Sequence, residues 1–282
     1  MNTKTNRAIG VFDSGIGGLT VVRSLMERLP FENIIYFGDT ARVPYGIKSV
    51  ETINRYAAQI TEFLIKKDVK LLIVACNTMA AVAHQTIVDF ANVPVAVSPR
   101  KIYVDPVPVL EVIDASARMA IQNTKTKSIG VIGTPATINS NAYARAIHIL
   151  DREAKVFSQA CPLFVPLVEE GWFDHPATRL IAQEYLKPVI AEQIDTLVLG
   201  CTHYPLLKPL LQNILGQEVT LIDSADAMAD IAADLINSKN IGNKSSSPPD
   251  YTFYVSDVPY RFQTIGERFL GRTLGRVELV SL

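Results

Sequence analysis

Short apolar segments rich in Val and Ile alternate along this chain with longer stretches of helical periodicity. The predicted strands are residues 8–12, 33–37, 70–75, 93–97, 127–132, 154–160, 195–199 and 219–222. The predicted helices are residues 17–29, 49–67, 78–90, 111–122, 137–150, 176–192, 206–215 and 225–237. This alternation is typical of βα units, whose parallel strands are buried on both faces. The fold class is therefore predicted to be α/β.

The second four strands resemble the first four, which indicates an internal repeat. IGVF at 9–12 matches IGVI at 129–132, and Cys76 after the third strand matches Cys201 after the seventh. Ligands of parallel α/β sheets bind at the carboxyl ends of the strands, so two facing halves would bring both thiols to one cleft. We therefore predict two similar parallel-sheet α/β domains with the active site in the cleft between them.

The expected domain boundaries follow from this repeat and from the linker near the C-terminus. The polar, proline-containing stretch at 238–250 is predicted to be a linker. The strand and helix after it are predicted to pack on one half. The first domain is expected to span 1–106, completed by the returning segment 224–282. The second is expected to span 107–223.

Composition narrows the class of partner. The chain has 282 residues, 48% hydrophobic and 20% charged, with a formal net charge of -1. No broad basic face of the kind that binds nucleic acid or anionic lipid is expected, and small-molecule partners are favoured. The sequence has neither a signal-peptide core nor an apolar run near the roughly 20 residues of a membrane span. Its three cysteines suggest no disulfide framework and fit a reducing cytosol, so a cytoplasmic location is predicted.

Polar residues follow two of the cysteines directly. Cys76 precedes Asn77 and Thr78, and Cys201 precedes Thr202 and His203. A thiol between a strand end and a helix start is readily tuned towards thiolate, and His203 could exchange a proton with it. A single Cys of this kind could equally be a small buried apolar residue, but the paired context favours chemistry. Cys161 lacks polar followers and is predicted to be structural.

A glycine-rich turn, DSGIGG at 13–18, follows the first strand and opens a helix. Its backbone amides could approach an anionic group, and Asp39 at the end of the second strand stands where a ribose-binding acid would in a dinucleotide fold. The third glycine of that fingerprint would fall at Thr20, however, and Asp13 would place a carboxylate beside the pyrophosphate. Dinucleotide binding is therefore the weaker alternative.

Metal and redox chemistry are two further alternatives. Zinc could be held by Cys76, Cys201 and His203, but these lack the paired short spacing of structural zinc sites. Two thiols meeting across a cleft could also oxidise, although that would leave their polar neighbours unexplained.

Carboxylates and one tight loop complete the candidate set. Asp13 and Asp39 could orient a ligand or poise a thiol, or could simply cap helices. Glu169 and Glu170, in VEEG at 168–171, are expected near the same cleft in the second half, or one of them is simply a surface residue. The segment VPYG at 43–46 is predicted to be a stiff turn that exposes backbone amides near the cleft.

Six ordered motifs carry a resemblance that covers nearly the whole chain: DSGIGG, GDTARVPYG, ACNT, GTPATINSNAY, CPLFVPLVEEG and LGCTHYPLL. With them the chain resembles the glutamate racemases of the cofactor-independent aspartate/glutamate racemase superfamily. The resemblance implies racemisation of L-glutamate to D-glutamate for peptidoglycan, with neither pyridoxal phosphate nor metal. By this resemblance, one cysteine thiolate would remove the Cα proton while the other, as a thiol, would deliver a proton to the opposite face.

The resemblance also implies residue roles. Asp13 would assist Cys76, while His203 and Glu169 would assist Cys201. The implied substrate-binding residues are Asp13, Ser14, Asp39, Pro44, Tyr45, Gly46, Asn77, Thr78, Thr134, Thr202 and His203. Family members commonly form homodimers, which is therefore an expectation for this chain.

One segment departs from the family pattern. Residues 95–108 form an apparent insertion, expected to be a surface or interdomain element, and DASARMA stands where relatives carry PGARAA. Two other functions remain open from the sequence. One is racemisation of another substrate, such as aspartate or a hydantoin; the other is amino-acid or nucleotide binding without catalysis.

Overall fold

The computed structural model describes residues 5–92, 106–245 and 247–282. Its strands are β1 (Ile9–Asp13), β2 (Ile34–Gly38), β3 (Leu71–Val74), β4 (Val109–Glu111), β5 (Ser128–Gly133), β6 (Lys155–Ala160), β7 (Thr196–Gly200), β8 (Thr220–Asp223), β9 (Tyr251–Val255) and β10 (Val277–Leu279). Its α-helices are α1 (Leu19–Arg28), α2 (Val50–Lys66), α3 (Asn77–Asn92), α4 (Val112–Asn123), α5 (Pro135–Asn139), α6 (Ala142–Leu150), α7 (Phe164–Glu169), α8 (Pro176–Ala191), α9 (Lys208–Leu215), α10 (Ser224–Ser238) and α11 (Pro259–Leu270). None of the helices in these ranges combines the length and apolar character needed to cross a membrane.

The strands form two sheets, and every strand pair in them is parallel. The first sheet has the order β10-β9-β2-β1-β3-β4, and the second has the order β6-β5-β7-β8. The four strands β1–β4 and the four strands β5–β8 are therefore arranged in the same way, with the first strand between the second and the third. The predicted α/β class with two similar parallel sheets is confirmed, and the repeat in the sequence corresponds to this shared order.

The central strands explain the apolar runs in the sequence. All residues of β1, β3, β5 and β7 are buried, because helices cover both faces of each sheet. The edge strand β6 is only half-buried, which accounts for its polar residues. Because β1 and β5 each have a later strand on either side, both sheets have a switch point where parallel α/β folds bind ligands.

Two helices carry the chain between the halves. α4 leaves β4 of the first sheet and packs against α6 and β7, whereas α10 leaves β8 of the second sheet and packs against α1. Ser24 on α1 donates a hydrogen bond to Asp226 on α10 at 2.9 Å, and Arg28 pairs with Asp230 at 2.8 Å. After α10 the C-terminal segment returns to the first sheet, where β9 pairs with β2. The domain boundaries given above stay a prediction.

Several elements differ from the predicted ones. The helix predicted at 137–150 is two helices, α5 and α6, because Asn141 has a left-handed backbone conformation with a φ of 55°. The region predicted as helix 206–215 begins with a 3-10 turn at Tyr204–Leu207 before α9. The short elements β4, β10 and α7 were not predicted. The strand predicted at 93–97 and most of the 95–108 insertion lie outside the described residues.

Candidate active site

Cys76 and Cys201 lie at equivalent places in the two halves. Cys76 follows β3 and immediately precedes α3, and Cys201 follows β7. Both are free, buried thiols, and both line one cavity with a volume of about 340 Å³. The cavity lies at the carboxyl ends of the strands, where the two sheets face each other. The structure therefore brings together the two thiols that the sequence singled out.

Most of the other candidate residues line the same cavity. From the first half these are Ser14, Pro44, Tyr45, Gly46, Asn77 and Thr78. From the second half they are Thr134, Glu169, Thr202 and His203. The cavity is also lined by residues that the sequence analysis did not select: Gly15, Val43, Ile47, Pro135, Pro162, Val165 and Pro166. Six of the seven lie inside the quoted motifs, but they are apolar residues or glycine, which carry no chemical signal.

A chain of polar contacts extends from Cys201. Its Sγ lies 3.9 Å from Nδ1 of His203, whose Nε2 lies 3.1 Å from a carboxylate oxygen of Glu169. Burial alone would lower the pKa of His203, but the hydrogen bonds to Cys201 and Glu169 outweigh it and raise the pKa to about 10. His203 is therefore a cation at neutral pH. His203 therefore places a positive charge beside Sγ of Cys201.

The surroundings of Cys76 favour the opposite protonation state. Its thiol donates to Ser14 Oγ at 3.6 Å. Burial and the nearby charge of Asp13 raise the pKa of Cys76 to about 12. Cys76 is therefore a thiol at neutral pH, ready to give a proton. The two cysteines thus have similar positions and unlike electrostatic surroundings.

Asp13 is buried behind the cavity wall and does not line the cavity. One carboxylate oxygen accepts a hydrogen bond from the Gly15 backbone at 2.9 Å, and the other accepts one from Thr202 at 3.4 Å. Burial raises the pKa of Asp13, while the charge of His203 and backbone hydrogen bonds oppose that rise. Asp13 therefore connects the turn after β1 with the turn after β7. Its contact with Thr202 links the two halves.

Asp39 does not line the cavity either, because its carboxylate has other partners. It accepts hydrogen bonds from the hydroxyl of Tyr45, from Arg42 Nε at 2.7 Å and from Ser256 Oγ at 2.7 Å. The contact with substrate that the resemblance implied for Asp39 stays a prediction. Asp39 fixes Tyr45, whose loop forms one wall of the cavity.

Three threonine hydroxyls meet where the halves touch. Thr78 of the first half lies 3.1 Å from Thr134 and 3.4 Å from Thr137, and the last two lie 3.0 Å apart. The Gly46 backbone is close to this group, since a Cβ there would lie 2.8 Å from Thr134 Cβ. The sequence analysis missed Thr137. Thr137 could have been found from its position three residues after Thr134, because the residue at that position contacts the side chain that caps the helix.

The structure weighs against the dinucleotide alternative. A Cβ on Gly17 would lie 2.2 Å from Thr202 Oγ1 and 2.6 Å from His203 Nδ1. The glycine-rich turn is thus packed against the second half, where a pyrophosphate would need space. Among the described residues, no group of three or more His, Cys, Asp or Glu is arranged to hold a metal ion.

A larger cavity of about 490 Å³ lies between α4 and α10 and contains neither cysteine. Glu111 lines it, and burial together with the charge of Asp114 raises the pKa of Glu111 to about 8. This carboxylate accepts hydrogen bonds from the backbone of Ile113 and Asp114 as the N-cap of α4. A helix cap accounts for Glu111, so we take the cavity between the two cysteines as the candidate active site.

Known proteins resemble this chain along its whole length. The family model for Asp/Glu/hydantoin racemases matches residues 9–232. A glutamate racemase of Syntrophus aciditrophicus is 66% identical over 281 residues, which are 100% of this chain and 99% of that protein. A glutamate racemase of Neisseria meningitidis serogroup A is 55% identical over 281 residues, which again are 100% of this chain and 99% of that protein. The crystal structure of Francisella tularensis glutamate racemase in complex with D-glutamate has a TM-score of 0.89 and 42% identity, and the match covers 98% of each chain.

Proposed function

The chain belongs to the Asp/Glu/hydantoin racemase family, and we propose from this premise that it interconverts L- and D-glutamate. The observation that carries the proposal is the shared cavity, which holds two free thiols in opposite electrostatic surroundings. Inverting a chiral carbon requires a base on one face and an acid on the other. Cys201 beside the His203 cation is suited to act as the base, and Cys76 as the acid.

The proposed reaction moves two protons. The Cys201 thiolate removes the Cα proton of one enantiomer and becomes a thiol, and the electron pair remains on the substrate as a carbanion-like species. The Cys76 thiol then gives its proton to the opposite face of Cα and becomes a thiolate. In the reverse direction the two cysteines exchange roles. Each turnover therefore inverts the carbon and leaves the protonation states of the thiols exchanged.

The cavity lining fits an amino acid with two carboxylates. No Lys or Arg side chain lines the described cavity, so carboxylates would be held by hydroxyl, amide and backbone N–H groups. Asn77 and Thr78 lie at the first turn of α3, a 16-residue helix whose N-terminus favours negative charge. Preorganised donors of this kind also stabilise the negative charge that develops on the substrate as the Cα proton leaves.

Incubation of the purified protein with L-glutamate in deuterated water tests the proposal. We expect D-glutamate to appear with deuterium at Cα, because the thiol that delivers the proton exchanges with solvent. Aspartate incubated in parallel should react much more slowly. Activity on aspartate or a hydantoin but not on glutamate would refute the proposed substrate, and no exchange with any of them would refute racemisation.

The remaining expectations concern the cellular setting. We propose that the product supplies D-glutamate for peptidoglycan and that the protein works in the cytoplasm, where thiols stay reduced. Homodimer formation stays a prediction, which light scattering of the purified protein measures directly.

A further inference from the structure

We propose that Tyr143 is a positioning residue that holds the neighbours of both candidate bases; this role rests on the proposed function. Tyr143 lies on α6 of the second half and is buried. Its hydroxyl donates a hydrogen bond to Oδ1 of Asn77 at 2.5 Å, and its ring packs beside Gly200. Asn77 directly follows Cys76, and Gly200 directly precedes Cys201. A single side chain thus contacts both strand ends.

The hydrogen bond to Asn77 sets the orientation of an amide in the cavity wall. Asn77 lines the cavity and is 2% exposed. Its Nδ2 has no hydrogen-bond partner among the described residues. Because Oδ1 accepts from Tyr143, both N–H groups of Nδ2 stay available to a ligand. A buried donor without a partner is unfavourable, so this amide suits a ligand acceptor such as a substrate carboxylate.

The protonation state of Tyr143 supports the same direction of donation. Burial raises the pKa of Tyr143 above its usual value, so the phenol keeps its proton at any pH at which the protein works. Without that proton, Oδ1 of Asn77 would have no donor, and the amide could turn the wrong end to the cavity. The hydroxyl therefore selects which end of the amide faces the ligand.

The ring of Tyr143 acts on the other cysteine through the backbone. A Cβ on Gly200 would lie 2.7 Å from the backbone oxygen of Ile132 and 3.0 Å from Cε2 of Tyr143. The ring thus occupies the space beside the last residue of β7, where only glycine fits. The strand end that presents Cys201 is held between β5 and this ring.

The variant Tyr143→Phe removes the hydroxyl and keeps the ring. We expect kcat/KM for glutamate to fall by about 10- to 100-fold, the effect of leaving a buried amide oxygen unpaired. A double-mutant cycle with Asn77→Ala separates positioning from general destabilisation. If Tyr143 acts through Asn77, adding Tyr143→Phe to Asn77→Ala should lower kcat/KM by no more than about twofold. Tyr185→Phe is the control, because within the described part of the chain that hydroxyl accepts a single long bond, from the Leu163 backbone at 3.4 Å.

Asn77→Asp tests the amide without changing Tyr143. The Tyr143 hydroxyl keeps an acceptor in this variant, while an oxygen replaces the Nδ2 donor, so we expect KM for glutamate to rise by about tenfold or more. Three results would each overturn the positioning role while leaving the proposed function intact. They are full activity of Tyr143→Phe, effects of Tyr143→Phe and Asn77→Ala that multiply in the double mutant, and an unchanged KM in Asn77→Asp. A wild-type protein that racemises no acidic amino acid would overturn both this role and the proposed function.

Discussion

Replacing Gly17 by alanine, a change in the first half of the chain, should displace active-site residues of the second half. Gly17 lies in the turn after β1, and its φ is outside the left-handed region, so its backbone accepts alanine. The added Cβ would lie 2.2 Å from Thr202 Oγ1 and 2.6 Å from His203 Nδ1. Real Cβ atoms essentially never approach heavy atoms closer than 3.0 Å, so Thr202 Oγ1 must move by at least about 0.8 Å and His203 Nδ1 by at least about 0.4 Å.

A displacement of about 1 Å at catalytic groups can lower the rate by about 10²-fold, which corresponds to about 2.7 kcal/mol in the activation barrier. We therefore expect Gly17→Ala to lower kcat/KM for glutamate by about that factor. Circular dichroism follows the conversion of one enantiomer to the other and gives this value directly. The protein should remain folded, because the turn itself is not strained by alanine.

Gly242→Ala is a matched control, because a Cβ there has no neighbour nearer than 3.5 Å. The overlap can be tested further by combining Gly17→Ala with Thr202→Ala, which removes the closest atom. In that background the effect of Gly17→Ala should be smaller than in the wild type. A Gly17→Ala protein with kcat/KM within about twofold of the wild type would refute the packing argument, since an overlap this close cannot be accommodated without movement.

The remaining predictions concern the acid and base groups. Cys76→Ala and Cys201→Ala should each abolish racemisation, measured by circular dichroism, whereas Cys161→Ala should leave it nearly intact; activity retained in either of the first two would contradict a two-base mechanism. Iodoacetamide should inactivate the protein, and glutamate should slow that inactivation by covering both active-site thiols. The His203 cation is lost as pH rises through its pKa of about 10, so kcat/KM should fall above that pH. Glu169→Gln should move this alkaline limb down by about one pH unit, because a neutral side chain no longer favours the imidazolium form; an unmoved limb would show that His203 does not control it.

The sequence was sufficient for the features that repeat along the chain or follow a buried strand directly. Cys76 and Cys201 were found because each combines an apolar strand with polar followers, a pattern that needs no knowledge of distant contacts. The shared strand order of the two sheets follows from the same repeat. These features are local, so they can be read from the sequence by periodicity and position.

Tertiary contacts decided the rest. Asp39 ends a strand as Asp13 does, and only the packing of Ser256, 217 positions away, shows that its carboxylate is occupied behind Tyr45. Tyr143 ends the quoted motif GTPATINSNAY, but the sequence did not show its role, because its helical position is the same whether its hydroxyl meets solvent or Asn77. Short strands such as β4 have too few residues to show a period. Side-chain direction and long-range pairing are the information that a single sequence lacks.

The unlike surroundings of the two thiols have a thermodynamic consequence. L- and D-glutamate have equal free energies in water, so the equilibrium constant between them is one, and kcat/KM must be the same in both directions. The His203 cation on one side and the buried Asp13 on the other therefore cannot make the protein prefer one product. They can only change kcat and KM by the same factor, so that one enantiomer has both a lower KM and a lower kcat than the other. A substitution that damages the surroundings of one thiol must therefore lower kcat/KM in both directions by the same factor.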